Sequence, residues 1–159
     1  MLNTETFKRI CGNYVTGVTV ICSKKNGQDF GFTANSFTSV SLDPLLILFC
    51  LHKDAKSNYA LSLKNKFIVN ILSDKQSKIC HIFSDPNLDH KDRFKMIDST
   101  ESKNGIKIIS ESVAWIECDV NEKIDAGDHY IYVGKVIEGK IISKKNPLVY
   151  HKSKIKKII

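Results

Sequence analysis

The chain lacks most of the signatures that announce a function by themselves. It has no CxxC, and its five cysteines (Cys11, Cys22, Cys50, Cys80 and Cys118) are scattered and odd in number. That argues against a disulfide framework or a zinc site and fits reduced thiols in a cytoplasmic protein. Cys80 and His81 are adjacent, a poor spacing for sharing one metal on a helix, so no metal is expected. No GxGxxG follows a strand and no GxxxxGK(S/T) occurs, so any nucleotide must be held in another way. The longest clean apolar run, Leu45 to Leu51, is far short of the roughly 20 residues needed to cross a bilayer as a helix. No basic-then-apolar leader opens the chain, so no secretory signal is expected. Arginine is scarce, with only Arg9 and Arg93 in a lysine-rich chain of net charge +7. The lysines are spread out rather than set in a stripe among aromatics, so nucleic acid is not an expected partner.

What is present describes one globular domain over residues 1–159. Apolar residues make up 42% and charged residues 26%, ordinary values for a chain with a real core. Asn3 or Thr4 can cap a first helix whose Phe7, Ile10 and Cys11 share a face, with Gly12 at its end. Gly17 to Ser23 reads as a strand, Asn26-Gly27 as a hairpin turn, and a return strand starts near Asp29. Further strands are expected at Lys66 to Leu72, Ser112 to Ile124 and His129 to Ile142. A helix starting at Asp54 or Ser57 should bury Tyr59, Ala60, Leu61 and Leu63. Another starting at Asp74 should bury Ile79, Ile82 and Phe83. Ser84 to Phe94 and Thr100 to Gly105 read as loops, and Trp115 as core. About seven strands in hairpin-like neighbours, with about three short helices, favour an antiparallel barrel over a doubly wound sheet.

The most informative stretch is Gly31 to Leu51, GFTANSFTSVSLDPLLILFCL. Its first half carries six small polar side chains, Thr33, Asn35, Ser36, Thr38, Ser39 and Ser41. Its second half is an apolar run that reads as a buried strand. Hydroxyl and amide groups with nearby backbone N–H donors can hold an anion or a polar ring without a fixed charge. A plain Ser/Thr-rich strand and turn is the alternative.

GFTANSFTSVSLDP resembles the signature of the flavin reductase-like domain, in the branch of short NAD(P)H:flavin oxidoreductases that serve two-component monooxygenases. FKRICGNYVTGVTVI near the start, FIVNIL at 67–72, AGDHYIYVGKV at 126–136 and PLVY at 147–150 match in the same order. Many members have a second proline after the first, where this chain has Leu45. The resemblance implies a mainly β, antiparallel Greek-key split barrel with a few short helices. It also implies a homodimer, with flavin at or near the subunit interface.

It further implies roles for particular residues. Thr33, Asn35 and Ser36 would lie against the flavin phosphate, ribityl chain or ring edge. Ser39 and Ser41, two apart on a strand, would face the same way and line the ring pocket, unless they are half-exposed strand serines. Lys53, Lys56 and Ser57 fall where a basic or hydroxyl residue meets the flavin phosphate; a solvated lysine and a capping serine are the alternative. Phe83 and Arg93-Phe94 bracket a polar loop, and this Phe and Arg would approach the flavin or its adenylate; a bidentate phosphate contact would explain the use of Arg93 in a lysine-rich chain. His129, after Gly127-Asp128, would position the nicotinamide, while Tyr150 would share that pocket or close the barrel. The implied reaction uses NADH or NADPH as co-substrate and FMN or FAD as flavin, and passes reduced flavin to a separate monooxygenase. A flavin-binding electron carrier or flavin store on the same barrel is the competing reading.

Overall fold

The computed structural model describes residues 1–156 and 158. In chain order its strands are β1 (Thr16–Gly17), β2 (Thr19–Lys25), β3 (Gln28–Ala34), β4 (Thr38–Leu42), β5 (Leu45–His52), β6 (Lys66–Ile71), β7 (Ser99–Glu101), β8 (Lys107–Ile109), β9 (Ala114–Ala126), β10 (His129–Ile141), β11 (Val149–His151) and β12 (Lys154–Lys156). The helices are α1 (Thr4–Cys11), α2 (Ser77–Ser84) and α3 (His90–Lys95), with a 3₁₀ helix at Lys56–Ala60.

Asn26-Gly27 turns β2 into β3 as its residue types predict. Both residues have positive φ, 51° and 76°, which two-residue hairpins need and Asn-Gly tolerates. β2 and β3 begin a seven-stranded sheet in the order β3-β2-β6-β9-β10-β5-β4, antiparallel at every step. The sheet curls on itself. Phe32 on β3 and Phe49 on β5, near its opposite edges, stand with ring centroids 5.8 Å apart. Around them Ile21, Ile47, Phe67, Val69 and Tyr132 fill the barrel interior. This is the mainly β, split-barrel architecture expected from the sequence.

Period-two alternation sends the other residues of the same strands outward. Val20, Cys22 and Ile68 form a second core with Leu72, Phe83 and Trp115, roofed by α2 and the β7–β8 hairpin. Each such fully buried side chain contributes roughly 1.5–3 kcal/mol of transfer free energy. Asn70 sits in this layer with no exposure. It accepts from the Ile109 N–H at 2.9 Å and donates to the Val20 carbonyl, so its burial is compensated. β1, β11 and β12 form a small separate sheet.

Several local expectations change. Residues 84–94 are not only a loop, because Asp89 caps α3 by accepting the Asp92 N–H at 2.8 Å. The helix after β5 is a single 3₁₀ turn, and it buries Ala60 and Leu61 while leaving Tyr59 and Leu63 exposed. Part of the stretch read as a loop at Thr100 to Gly105 is strand β7. The polar stretch is mostly strand, with only residues 35–37 between β3 and β4. Of β5, Ile47, Phe49 and Leu51 are buried, whereas Leu45 is exposed and Leu46 and Leu48 are half-buried. α1 forms as expected, with Asn3 Oδ1 accepting the Thr6 N–H at 2.8 Å. Yet nothing among the described residues covers its apolar face: Phe7 is 55% and Ile10 57% exposed.

Candidate functional site

β1 and β11 pair so that Thr16 stands opposite Tyr150. This small sheet and the end of β3 form the walls of a groove of about 760 Å³, lined by Tyr14, Thr16, Asn35, Ser36, Phe37 and Tyr150 among others. A smaller recess of about 380 Å³ adjoins it and shares Asn35 and Tyr150. Thr33, Cys80 and His81 belong to that recess.

Two of the hydroxyls hold the wall together. Thr33 Oγ1 donates to the Cys80 carbonyl at 2.7 Å and ties β3 to α2. Ser36 Oγ accepts the Cys50 N–H at 2.9 Å, stapling the 35–37 loop to β5. Asn35 is exposed, and its amide makes no hydrogen bond among the described residues. Thr16 Oγ1 is buried in the groove wall with no hydrogen-bond partner among the described residues. An orphaned buried hydroxyl costs about 1–3 kcal/mol, and a polar ligand group would satisfy it. The lining combines three aromatic rings (Tyr14, Phe37 and Tyr150), an amide, several hydroxyls and one ammonium, that of Lys8. It suits a flat polar ring and its sugar-like chain better than a compact ion.

The structure brings Thr33, Asn35, Ser36 and Tyr150 together and leaves other expected residues elsewhere. β4 carries a bulge at Val40, so Ser39 lies opposite Ile47 and Ser41 opposite Leu46. Adjacent residues of β5 point to opposite faces, so the two serines do not share one. The extra residue breaks the period. Ser41 Oγ accepts the Asp43 N–H at 3.2 Å. Lys56 is exposed and Ser57 is buried in the 3₁₀ turn; neither lines the groove. Phe83 is buried core, packed edge-on against Phe94 at 5.1 Å.

Arg93 is the clearest correction. It is 8% exposed. Its guanidinium donates to the Gly31 carbonyl at 2.8 Å and the Asp85 carbonyl at 2.6 Å. The Gly31 N–H donates to His90 Nδ1 at 3.2 Å. A Cβ on Gly31 would stand 2.5 Å from Phe83 Cε1, so only glycine lets α2 and α3 come this close. Arg93 therefore latches α3 to β3 through main-chain oxygens, where the sequence suggested a phosphate contact.

His129 opens β10 opposite His52, and their rings meet edge-on at 5.2 Å. Its Nδ1 lies 2.7 Å from Asp128 Oδ1, and this hydrogen bond holds the Asp128 carboxyl below its ordinary pKa. Lys53 fastens the same turn. Its N–H donates to the Asp128 carbonyl at 3.0 Å and its ammonium pairs with Asp125 at 2.8 Å. The His129 side chain is 42% exposed. It does not line the groove, but His52 is two residues along β5 from Cys50, where Ser36 is stapled.

The sequence reading missed Thr16, Tyr14 and Phe37. Thr16 lies in the YVTGV segment of the family resemblance, but only the pairing of β1 with β11 reveals that it faces Tyr150.

Residues 11–158 match the family described as "Flavin reductase like domain", and the chain belongs to that family. It is 42% identical over 126 residues to a probable flavin reductase of Rhizobium meliloti, covering 79% of this chain and 40% of that protein. It is 43% identical over 137 residues to the stachydrine N-demethylase reductase subunit of the same organism, covering 86% of this chain and 58% of that one. The chain thus spans about half the length of these two relatives. The solved NADH:FAD oxidoreductase of Streptomyces globisporus, in complex with NAD and FAD fragments, superposes with a TM-score of 0.91 at 30% identity, covering 100% of this chain and 96% of that one.

Proposed function

We propose that the protein is an NAD(P)H:flavin oxidoreductase that supplies reduced FMN or FAD to a separate monooxygenase. The observation that carries this reading is the convergence of Asn35, Tyr150 and the unpartnered Thr16 hydroxyl on one groove. The bound flavin would accept a hydride at N5 from nicotinamide C4, so the cofactors carry the redox chemistry. The chain's share is orientation. Asn35 and Thr16 offer hydrogen bonds to polar edges, while Tyr14, Phe37 and Tyr150 supply apolar faces that keep water from the rings. His129, steadied by Asp128, would position the nicotinamide without needing to transfer a proton. A Rhodococcus jostii relative, 35% identical over 153 residues and named the reductase subunit of a flavin-dependent monooxygenase, supports an oxygenase partner.

We further propose a homodimer. The exposed apolar face of α1 and the exposed Val40, Leu42, Leu45 and Ile137 near the β4 edge are surfaces that a second copy would cover. A single-chain mass by light scattering at assay concentration, with full activity, would sink the dimer.

Purification, a visible spectrum and NADH or NADPH consumption with FMN and with FAD test the function. Rapid oxidation with added flavin is expected. Tight flavin binding without turnover would instead make the protein an electron carrier or flavin store. Flavin should leave intact on mild denaturation, since the family resemblance implies no covalent attachment.

A further inference from the structure

His52 and His129 stand opposite each other where β5 pairs with β10, their rings edge-on with centroids 5.2 Å apart. Both side chains are partly exposed, His52 at 49% and His129 at 42%. Both are mounted on fixed backbone. Asn58 Nδ2 donates to the His52 carbonyl at 2.9 Å, and the Lys53 N–H ties the end of β5 to the Asp128 carbonyl. The two rings are tethered through the same atom in opposite senses, and in a histidine the bond made at one nitrogen sets the state of the other. The Asp54 N–H donates to His52 Nδ1 at 3.2 Å, so that nitrogen is bare and the proton of the neutral ring lies on Nε2. The Asp54 carboxylate, 3.8 Å from the same atom, is too far away to hydrogen-bond it instead. At His129 the partner is the Asp128 carboxylate, which only accepts, so His129 Nδ1 carries the proton and donates across 2.7 Å. Nε2 of the neutral His129 ring is then bare. The outer edge of the pair therefore offers one N–H donor, on His52, and one acceptor, on His129.

We propose that His52 is a second specificity residue for the reaction, and that the His52–His129 pair recognises the carboxamide of the nicotinamide. The proposal rests on the flavin-reductase reading, which supplies the nicotinamide. A primary carboxamide has one carbonyl acceptor and one NH2 donor, the complement of this pair. His52 Nε2 donates to its oxygen, and His129 Nε2 accepts from its nitrogen. Neither ring gives up a proton. The pair stands on the face that leads to the groove. His52 and Cys50 are two apart on β5, so their side chains share a side, about 7 Å apart in strand rise. The groove residue Ser36 is bonded to the Cys50 N–H at 2.9 Å. Leu45, on the apolar edge assigned to a second copy, begins β5 and His52 ends it, roughly 23 Å apart along the strand. A site that hydrogen-bonds a substrate group rejects the analogue lacking it, because its own polar atoms are left unpaired. The pair thus selects a nicotinamide over a pyridine that lacks the amide.

Two variants divide the two nitrogens of His52. Asparagine keeps an acceptor where Nδ1 stands and reaches no further, so His52→Asn preserves the tether to Asp54 and removes the outer donor. Glutamine carries an NH2 where Nε2 stands, so His52→Gln keeps the donor and loses the tether. For NAD(P)H, kcat/KM should fall about tenfold in His52→Asn, as for one lost hydrogen bond, and should be largely retained in His52→Gln. A bracing role for His52 gives the reverse order and overturns the proposal; so do equal values in the two variants. The reduced 3-acetylpyridine analogue of the same dinucleotide keeps the carbonyl oxygen and lacks the NH2. His52→Asn should slow it as much as NAD(P)H, whereas His129→Phe should slow NAD(P)H and leave the analogue nearly unchanged. An analogue slowed equally by both variants overturns the pairing. FMN affinity, read by flavin fluorescence, should hold in all three variants. A parallel loss of flavin would assign the pair to the imide edge of the flavin and overturn the nicotinamide assignment. Nitrogen NMR of the protein alone, at mildly alkaline pH, should find the proton on Nε2 of His52 and on Nδ1 of His129; the opposite tautomer at either ring overturns the proposal without any turnover. Wild type that oxidises no NAD(P)H with any flavin would sink the reductase reading and the pair with it. Turnover indifferent to His52→Asn would sink the pair alone.

Discussion

Helices meet the barrel in two places, and the two junctions are built oppositely. At α2 and α3 the contact is dry. Phe83, Phe94 and Ile82 pack on β3, and Arg93 and His90 turn their polar atoms onto the Gly31 backbone. At α1 no residue is buried, and among the described residues Lys8 and Arg9 make no ion pair and a threonine hydroxyl in the groove wall has no partner. The molecule's two arginines divide the same way. Arg93 is consumed by main-chain acceptors, and the Arg9 side chain stands exposed on α1 with no bonded partner among the described residues. Burial compels a polar side chain to bond whatever is next to it. Groups available to a ligand must therefore be sought where packing has stopped.

The sharpest way to break that contrast is Arg93→Ala. It removes two charge-assisted hydrogen bonds and leaves a buried carbonyl of Gly31 without its partner, so stability should fall by about 2–4 kcal/mol. Urea denaturation measures the loss. Flavin affinity of the folded fraction should stay as in wild type. A variant of normal stability that had lost flavin would return Arg93 to the site.

Next in size is His129→Ala. Losing a hydrogen-bonding contact to the nicotinamide should lower kcat/KM for NAD(P)H by roughly 5- to 150-fold, about 1–3 kcal/mol. Flavin affinity should barely move, because His129 does not line the groove. Stopped-flow reduction beside a flavin titration separates this from a structural role. If His129 only braces the 125–128 turn against His52, stability and flavin would be lost together and reduction of bound flavin would be normal.

How far the sequence could be read follows from the range of each interaction. Period-two patterns, Asn26-Gly27 and the Asn3 cap are local, and the barrel strands stand where those patterns put them. β9 and β10 start within two residues of expectation. Thr33, Asn35 and Ser36 were legible because one short stretch carries them and the family resemblance gave them meaning. The bulge at Val40 has no signal in the run SFTSVSL, so Ser39 and Ser41 were assigned one face that they do not share. Arg93 was misread because its partners are backbone carbonyls on distant elements, which no residue type announces. Arg9 and Lys152 come from opposite ends of the chain and meet only when the β11–β12 turn docks on Gly12.

A smaller effect tests the dry junction by pH. Burial, then the neighbouring Arg93 charge, lowers the His90 pKa below its ordinary 6.5. The Lys56 charge acts the same way, while the Asp89 carboxylate opposes the shift. His90 Nδ1 accepts that N–H, so the folded ring must be neutral. The unfolded histidine takes up its proton at about 6.5, the folded one only at lower pH. Between those values the unfolded chain holds more protons, so stability is full above about 6.5 and drops as pH falls toward the folded pKa. Urea midpoints from neutral to mildly acid pH should show this slope in wild type and a shallower one in His90→Gln. Parallel slopes would remove His90 as its source.

The smallest effect concerns the two hairpin turns, which share one backbone geometry and differ in residues. Asn26-Gly27 holds positive φ with the residue types that accept it, whereas Lys152-Ser153 holds it without them. Ser153→Gly should relieve a left-handed cost of roughly 1–2 kcal/mol, offset by the extra freedom of glycine in the unfolded chain, about 0.5–1 kcal/mol. The net gain should therefore be about 1 kcal/mol or less, visible as a small rise in the urea midpoint. Lys152 and the turn's bond to Gly12 remain in this variant, so flavin affinity should hold if the serine merely tolerates the turn. A more stable protein that binds flavin more weakly would show that the Ser153 hydroxyl, which lines the groove, is kept for the ligand at a cost to the fold. That outcome would widen the contrast with Asn26-Gly27, a turn that lines neither the groove nor the recess beside it. No gain in stability would mean that the docking of this turn on α1 already absorbs the strain, and the two hairpins would then be equivalent.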